Sequence, residues 1–146
     1  MTATPPTSPL SRVRIVLVRP TGPANVGAAC RAMANMGLCD LVLVDPKHPP
    51  THPDAVAYAT HGQHVLDAAR LVDTIEEALA GCVRTFATSS KLGLYRRQAV
   101  IDPPAAAREA LTALSGGPVA IAFGPERVGL LTRELLLFDR LLCIPA

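Results

Sequence analysis

Short runs of predominantly apolar residues recur along this chain, separated by stretches long enough to hold a helix. Strands that are apolar throughout are buried on both faces, because alternation of apolar and polar residues marks a strand with one face in water. Helix-length connections suit parallel strands. The sequence therefore predicts an α/β fold with a mainly parallel sheet flanked by helices. The predicted strands are Val13 to Val18, Leu41 to Val44, Val83 to Thr88, Val119 to Phe123 and Leu141 to Ile144.

Capping residues, glycine and proline indicate where the helices begin and end. Asn25 is predicted to cap a helix that ends at Gly37. Asp73 or Thr74 can cap a further helix. Residues 54–60, 103–114 and 132 to about 138 also read as helices, whereas 65–72 suits a helix or a strand. Spacing of three and four residues predicts that one row of the first helix faces the sheet. This row is Val26, Ala29, Cys30, Met33 and Met36.

The composition predicts one compact domain. Hydrophobic residues make up 49% of the 146 and charged residues 18%, the reverse of the balance that keeps a chain disordered. We expect residues 1–11 to be a disordered leader and residues 12–146 to be the folded domain. The chain has three Phe, two Tyr and no Trp, which argues against a stacking platform for single-stranded nucleic acid.

Cysteine and histidine spacing predicts no metal site. The four cysteines form no C-x-x-C pair, and the four histidines lack a ligand pattern, so buried free thiols are expected. Free thiols suit a reducing cytosol. No stretch approaches transmembrane length, and residues 1–11 lack the apolar core of a signal peptide. These features predict a cytoplasmic protein without a membrane partner.

Basic residues cluster twice although the net charge is only +2. A solvated surface and contact with phosphate groups explain such clusters equally well. The clusters are Arg12, Arg14 and Arg19, then Lys91, Arg96 and Arg97.

Two glycine-containing segments, each directly after a predicted strand, form the candidate site. They read NVGAACRAMANMG, from Asn25 to Gly37, and AFGPERVGL, from Ala122 to Leu130. Ligands of α/β proteins gather at the carboxyl ends of parallel strands. Arg31, flanked by small residues, is then either a surface arginine or a group that orients an anion. Neither segment matches the G-x-G-x-x-G or Walker motif, which disfavours nicotinamide and ATP.

The second segment and a third strand end supply further candidates. Gly124 would let a ligand approach the backbone, and Gly129 would permit a tight turn. Glu126 and Arg127 can form a simple surface pair. The hydroxyls of 88–90 lie past another strand, where they either contact a ligand or cap a turn.

The order of these segments resembles the SPOUT superfamily, and within it the SpoU/TrmH-type RNA ribose methyltransferases, most closely the bacterial branch acting on the tRNA anticodon loop. The resemblance covers roughly Arg14 to Ala146. It implies an α/β fold with a deep trefoil knot, S-adenosylmethionine as cofactor, and RNA as partner, with tRNA favoured over rRNA. It also implies a homodimer whose active site lies at the dimer interface. It rests on RIVLVRPTGPANVGAACRAMANMGL, LVLVDP, DTIEEALAGC, ATSS and VAIAFGPERVGL.

The resemblance also assigns site residues by position. Asn25, Arg31 and Glu126 match catalytic positions. A ribose hydroxyl is a poor nucleophile, and arginine stays protonated. We therefore expect Arg31 to grip the adjacent phosphate and to stabilise developing alkoxide charge, not to act as a base. The residues that match cofactor-binding positions are Thr88, Ser89, Ser90, Gly124 and Ile144.

The sequence departs from the family pattern in two places. The family continues after its last strand with an N-P-E-Y-S-S-L-N-like stretch and a closing helix, whereas this sequence ends at CIPA, and Lys91 stands at an arginine position. We therefore expect a SPOUT domain without the knot-closing segment. The alternatives are a catalytically inactive or truncated SPOUT-like RNA-binding protein and, third, an unrelated nucleotide-binding α/β domain.

Overall fold

The computed structural model describes residues 8–89 and 99–144. Within these ranges the strands form one seven-stranded sheet in the order β3-β2-β1-β6-β4-β7-β5. All neighbouring pairs are parallel, which confirms the predicted α/β class. The strands are β1 (Val13–Val18), β2 (Asp40–Val44), β3 (Arg70–Val72), β4 (Arg84–Thr88), β5 (Ala99–Ile101), β6 (Val119–Phe123) and β7 (Arg140–Leu142).

Helices cover both faces of this sheet. Helices α1, α2, α3 and α5 contribute to one core cluster, and α4 and α6 to the other. In the described part of the chain, no helix has both the length and the apolar character needed to cross a membrane. The helices are α1 (Pro23–Asn35), α2 (Pro53–Ala59), α3 (Gln63–Asp67), α4 (Ile75–Leu79), α5 (Pro103–Ala113) and α6 (Thr132–Leu135), with 3-10 turns at Pro9–Arg12 and Thr60–Gly62.

The central strand β1 explains why its sequence is apolar almost throughout. Val13 and Ile15 pack into the first cluster, whereas Val16 and Val18 pack into the second. Side chains alternate between the faces of a sheet, so a strand covered on both sides buries both sets. The polar exception, Arg14, is buried at 8% exposure and donates to the Asp40 carboxylate at 3.1 Å.

Several boundaries differ from the sequence predictions. Helix α1 begins at Pro23, with Gly22 as its N-cap, so the prediction that Asn25 caps it is wrong. Proline is well suited to the first turn because its missing N–H is not needed there. Strand β5 was not predicted. The ambiguous segment 65–72 contains the end of α3 and then β3.

Packing around α1 also corrects its predicted faces. Met36 is 70% exposed, because the helix ends at Asn35 and the chain turns at Gly37, where φ is 75°. Gly27, which does not belong to the predicted row, is also buried. Cys30 is the buried thiol, whereas the other cysteines are half-buried. The expected row is therefore shorter than the spacing suggested, and the opposite face is covered in part by α2.

Candidate functional site

Glu126, in the loop after β6, binds the amino end of α1. Its Oε1 accepts from the backbone N–H of Thr21 at 3.0 Å and from the Thr21 hydroxyl at 3.1 Å. Its Oε2 accepts from the Gly22 N–H at 2.8 Å and from Asn25 Nδ2 at 3.0 Å. Two of the predicted catalytic residues are therefore in direct contact. Among the described residues, Glu126 forms no ion pair with Arg127, so the simple surface pair is not formed.

These contacts fix the charge state of Glu126. Partial burial raises the pKa of the carboxyl group, but hydrogen bonds from Thr21, Asn25 and Gly22 outweigh it and hold the pKa at about 2. An ionised carboxylate with both oxygens already engaged is a weak base. We infer that Glu126 and Asn25 position the start of α1 and do not take the proton of a substrate.

Replacing Glu126 with glutamine is expected to destabilise the fold by about 1 kcal/mol at neutral pH, because the amide offers one acceptor where the carboxylate offers two. The folded pKa lies below that of an unfolded glutamate, so the stabilisation is complete above roughly pH 4.3 and is lost as the pH falls toward 2. Urea unfolding of both proteins from neutral pH downward measures this difference.

The matched control is Glu76→Gln, which removes an exposed carboxylate from the first turn of α4. A Glu126→Gln stability difference that persists unchanged down to pH 2 would contradict the carboxylate's anchoring role.

Arg31 lies on the exposed surface of α1, six residues beyond Asn25. At 1.5 Å per residue this is roughly 9 Å along the helix axis. In the described residues its guanidinium has no hydrogen bond or ion pair to protein. The structure thus brings Asn25 and Glu126 together but leaves Arg31 apart from them, on the same helix and open to solvent. That is the position expected of a group that contacts a bound ligand.

A cavity of about 270 Å³ opens at the carboxyl ends of β4, β6 and β7. Thr88, Ser89, Gly124 and Ile144 all line it, so the predicted cofactor residues share one cavity. The Thr88 hydroxyl donates to the carbonyl of Ala122 at 3.1 Å, which ties its strand to β6. Ser90, the remaining predicted cofactor residue, lies outside the described residues.

Gly124 has no room for a side chain. A Cβ there would lie 2.3 Å from the Leu130 nitrogen and 2.4 Å from the Gly129 carbonyl carbon. Gly129 itself has φ of 69° and donates its N–H to the Pro125 carbonyl at 2.8 Å. The loop from β6 is thus folded tightly onto the strand end, and it forms one wall of the cavity.

Further residues line this cavity beside the predicted cofactor residues. Phe123, Val128, Gly129 and Leu130 lie within the AFGPERVGL segment, which was predicted as part of the site. Leu142 was missed, because its approach depends on β7 pairing with β4.

An apolar groove of about 360 Å³ runs between α1 and the sheet. Met33 and Met36 line it from the helix, and Phe123 and Gly124 line it from β6 and the loop. Phe123 and Gly124 also line the smaller cavity. The end of β6 is therefore the wall that separates the two spaces.

The first basic cluster does not form a phosphate-binding surface. Arg14 is buried against Asp40 and two backbone carbonyls, and Arg19 forms a two-pronged ion pair with Glu134. The hydrogen bond to Glu134 outweighs burial and raises the pKa of Arg19. Arg12 remains exposed. The second cluster lies outside the described residues, namely Lys91, Arg96 and Arg97.

Metal-ligating side chains are dispersed over the described ranges. Within 8–89 and 99–144, no group of three or more His, Cys, Asp or Glu side chains could hold a metal ion.

Comparison with known proteins identifies the family to which this chain belongs. Residues 12–146 match the family model described as the SpoU rRNA Methylase family. The chain belongs to the SpoU methylase family. The predicted family resemblance is thereby confirmed for all but the first residues of the chain.

Individual SpoU relatives agree with this assignment. The tRNA (cytidine/uridine/adenosine-2′-O-)-methyltransferase TrmJ of Pseudomonas aeruginosa is 48% identical over 129 residues, which are 86% of this chain and 49% of that protein. A probable methylase family protein from Haemophilus influenzae has a TM-score of 0.87 at 36% identity, covering 94% of this chain and 57% of that one. TrmJ from Z. mobilis ZM4 has a TM-score of 0.82 at 38% identity, covering 91% of this chain and 58% of that one. The SpoU chain spans about half the length of the curated relatives it matches.

Proposed function

We propose that this protein transfers a methyl group from S-adenosylmethionine to a ribose 2′-hydroxyl of RNA, with tRNA favoured over rRNA. The observation that carries the proposal is that Thr88, Ser89, Gly124 and Ile144 line one cavity. The β6 wall of this cavity also lines the groove against α1, the helix that bears Arg31. The P. aeruginosa relative is a tRNA 2′-O-methyltransferase, which supports the same reaction.

The small cavity combines apolar and polar groups, as a site for this cofactor requires. Leu130, Leu142 and Ile144 offer apolar surface, and Thr88 and Ser89 bring hydroxyl and backbone groups to its edge. Ligand cavities commonly combine apolar walls with a few polar groups that fix orientation. S-adenosylmethionine supplies an electrophilic methyl group on a sulfonium when it is bound.

The chain's own residues then position the substrate. Arg31, free of protein partners in the described part of the chain, grips a phosphate next to the target ribose and stabilises negative charge on the attacking oxygen. Asn25 Nδ2 donates to Glu126 Oε2 at 3.0 Å. This contact holds the start of α1 against the β6 loop, so that the helix keeps its place relative to the cavity. Such positioning is a large part of catalysis when two substrates must meet in line.

Gly124→Ala is expected to weaken S-adenosylmethionine binding at least about tenfold, because its methyl group displaces the backbone of the cavity wall. Isothermal titration calorimetry measures this against the unmodified chain. The control is Gly116→Ala, whose added Cβ would lie 3.5 Å from the Ala113 oxygen, an ordinary contact distance. If the Gly124 variant binds S-adenosylmethionine as tightly as the unmodified chain does, this cavity is not the cofactor site.

Mass spectrometry of nucleosides from RNA treated with the chain and labelled S-adenosylmethionine tests the reaction itself. A 2′-O-methylated nucleoside supports the proposal. Cofactor and RNA binding without methyl transfer would instead favour a catalytically inactive RNA-binding protein.

The finer points of the proposal derive from family membership. We propose that the protein works as a cytoplasmic homodimer with its active site at the dimer interface. The exposed Met36 beside the apolar groove supports an interface at α1. Size-exclusion chromatography with light scattering measures the oligomeric state.

A further inference from the structure

A row of side chains flanks Arg31 on the exposed face of α1. Gly27, Arg31 and Asn35 are spaced four residues apart and lie along one line of the helix, which is buried at Gly27 and exposed at Arg31 and Asn35. A Cβ on Gly27 would lie 2.9 Å from the Cβ of Tyr58, and Nε2 of His61 donates to Oδ1 of Asn35 at 2.6 Å. The side chain of Tyr58 therefore starts one turn before Arg31, and the imidazole of His61 lies one turn after it.

The side chains around Arg31 are open to solvent, including one aromatic ring. Tyr58 is 55% exposed, and Arg31, Asn35 and His61 are exposed as well. By contrast Phe86 and Phe138 are buried in the core. More than half of the Tyr58 surface is therefore available to a ligand.

The backbone holds His61 close to Arg31. A Cβ on Gly62 would lie 2.4 Å from the carbonyl oxygen of Cys30 and 2.7 Å from the nitrogen of Arg31. Thr60, on the other side of His61, has φ of 48°, a strained value for a β-branched residue. Strain of this kind persists where the surrounding packing determines the conformation, and it is common at functional sites.

We propose that Tyr58 and the His61–Asn35 pair contact the RNA nucleotides on either side of the phosphate gripped by Arg31, with the Tyr58 ring stacked on an unpaired nucleobase. The inference rests on the proposed function, because it assumes an RNA substrate. Sequence-specific proteins contact RNA loops by stacking bases on Tyr or His and by hydrogen bonds to base edges. The few aromatic residues argue against an extended platform, but one ring suits one unstacked base.

Fluorescence anisotropy with a tRNA anticodon stem-loop and with a duplex RNA of equal length tests this contact. Tyr58→Ala is expected to weaken stem-loop binding on the order of tenfold, and Tyr58→Phe to restore it, because the ring is what stacks. Duplex binding and S-adenosylmethionine affinity should not change. The matched control is Val56→Ala, since Val56 is 43% exposed on the same helix but lines a separate pocket with Pro50 and Leu66.

The outcomes separate this inference from the function on which it rests. If the unmodified chain binds cofactor and stem-loop and Tyr58→Ala binds the stem-loop equally well, the stacking contact is wrong and the function stands. Equal losses with stem-loop and duplex would also overturn stacking, because paired bases are not available to the ring. An unmodified chain that binds neither ligand overturns both proposals.

Discussion

Replacing Arg31 with alanine is expected to lower the rate of methyl transfer by on the order of 100-fold or more, with little change in S-adenosylmethionine affinity. The guanidinium is exposed on α1 and does not line the proposed cofactor cavity. Its loss should therefore affect the stabilisation of charge in the transition state and leave the cofactor site intact. Single-turnover kinetics with labelled cofactor measures the rate, and calorimetry measures the affinity.

Two further variants make the Arg31 result specific. Arg31→Lys keeps the charge but not the planar, two-pronged donor geometry, so an intermediate rate is expected. Arg108→Ala removes an exposed arginine from α5 and should leave the rate unchanged. If Arg31→Ala retains most of the activity, Arg31 is not a catalytic residue.

Gly27→Ala is expected to destabilise the protein by about 2 kcal/mol or more, although alanine is the better helix former. Helix propensity alone favours alanine by about 1 kcal/mol. The added methyl group, however, would lie 2.3 Å from the backbone oxygen of Ala55 and 2.9 Å from the Ala59 nitrogen. Backbone atoms cannot move aside as a flexible side chain can, and overpacking typically costs about 1–3 kcal/mol or more. We expect the steric cost to exceed the gain.

Urea unfolding measures the effect of Gly27→Ala as a shift in the midpoint at constant slope. The control is Gly116→Ala, whose Cβ would lie 3.5 Å from the Ala113 oxygen, an ordinary contact distance. Its stability should change by less than about 0.5 kcal/mol. A Gly27→Ala protein more stable than the unmodified chain would show that α1 and α2 can separate at little cost.

Local signals predicted those parts of the fold that are set by neighbouring residues. Strand β6 has the predicted bounds, Val119–Phe123. Thr74 caps α4 as expected, with Glu77 reaching back to complete the capping box. In each case the information lies within a few residues of the element. Strand β5 was missed because three residues, Ala99–Ile101, are too few to show a pattern.

The site was predictable as a set of residues but not as a set of contacts. Asn25 looked like a helix cap because asparagine often has that role. Its amide instead donates to Glu126, 101 positions away in the sequence, and only the parallel pairing of β1 with β6 brings the two together. Tyr58 and His61 gave no functional signal, since their position beside Arg31 depends on the packing of α2 against α1.

The position of β7 in the sheet has a consequence for how the protein is made. Among the described strands, β5 pairs with β7 alone, and β7 lies between β5 and β4. When 99–101 leave the ribosome, the strand they must join has not yet emerged. Sheet assembly therefore cannot follow chain order, and contacts between distant segments form slowly. Since Leu142 of β7 also lines the small cavity, we expect the ability to bind a ligand there to appear late, after β7 has been inserted.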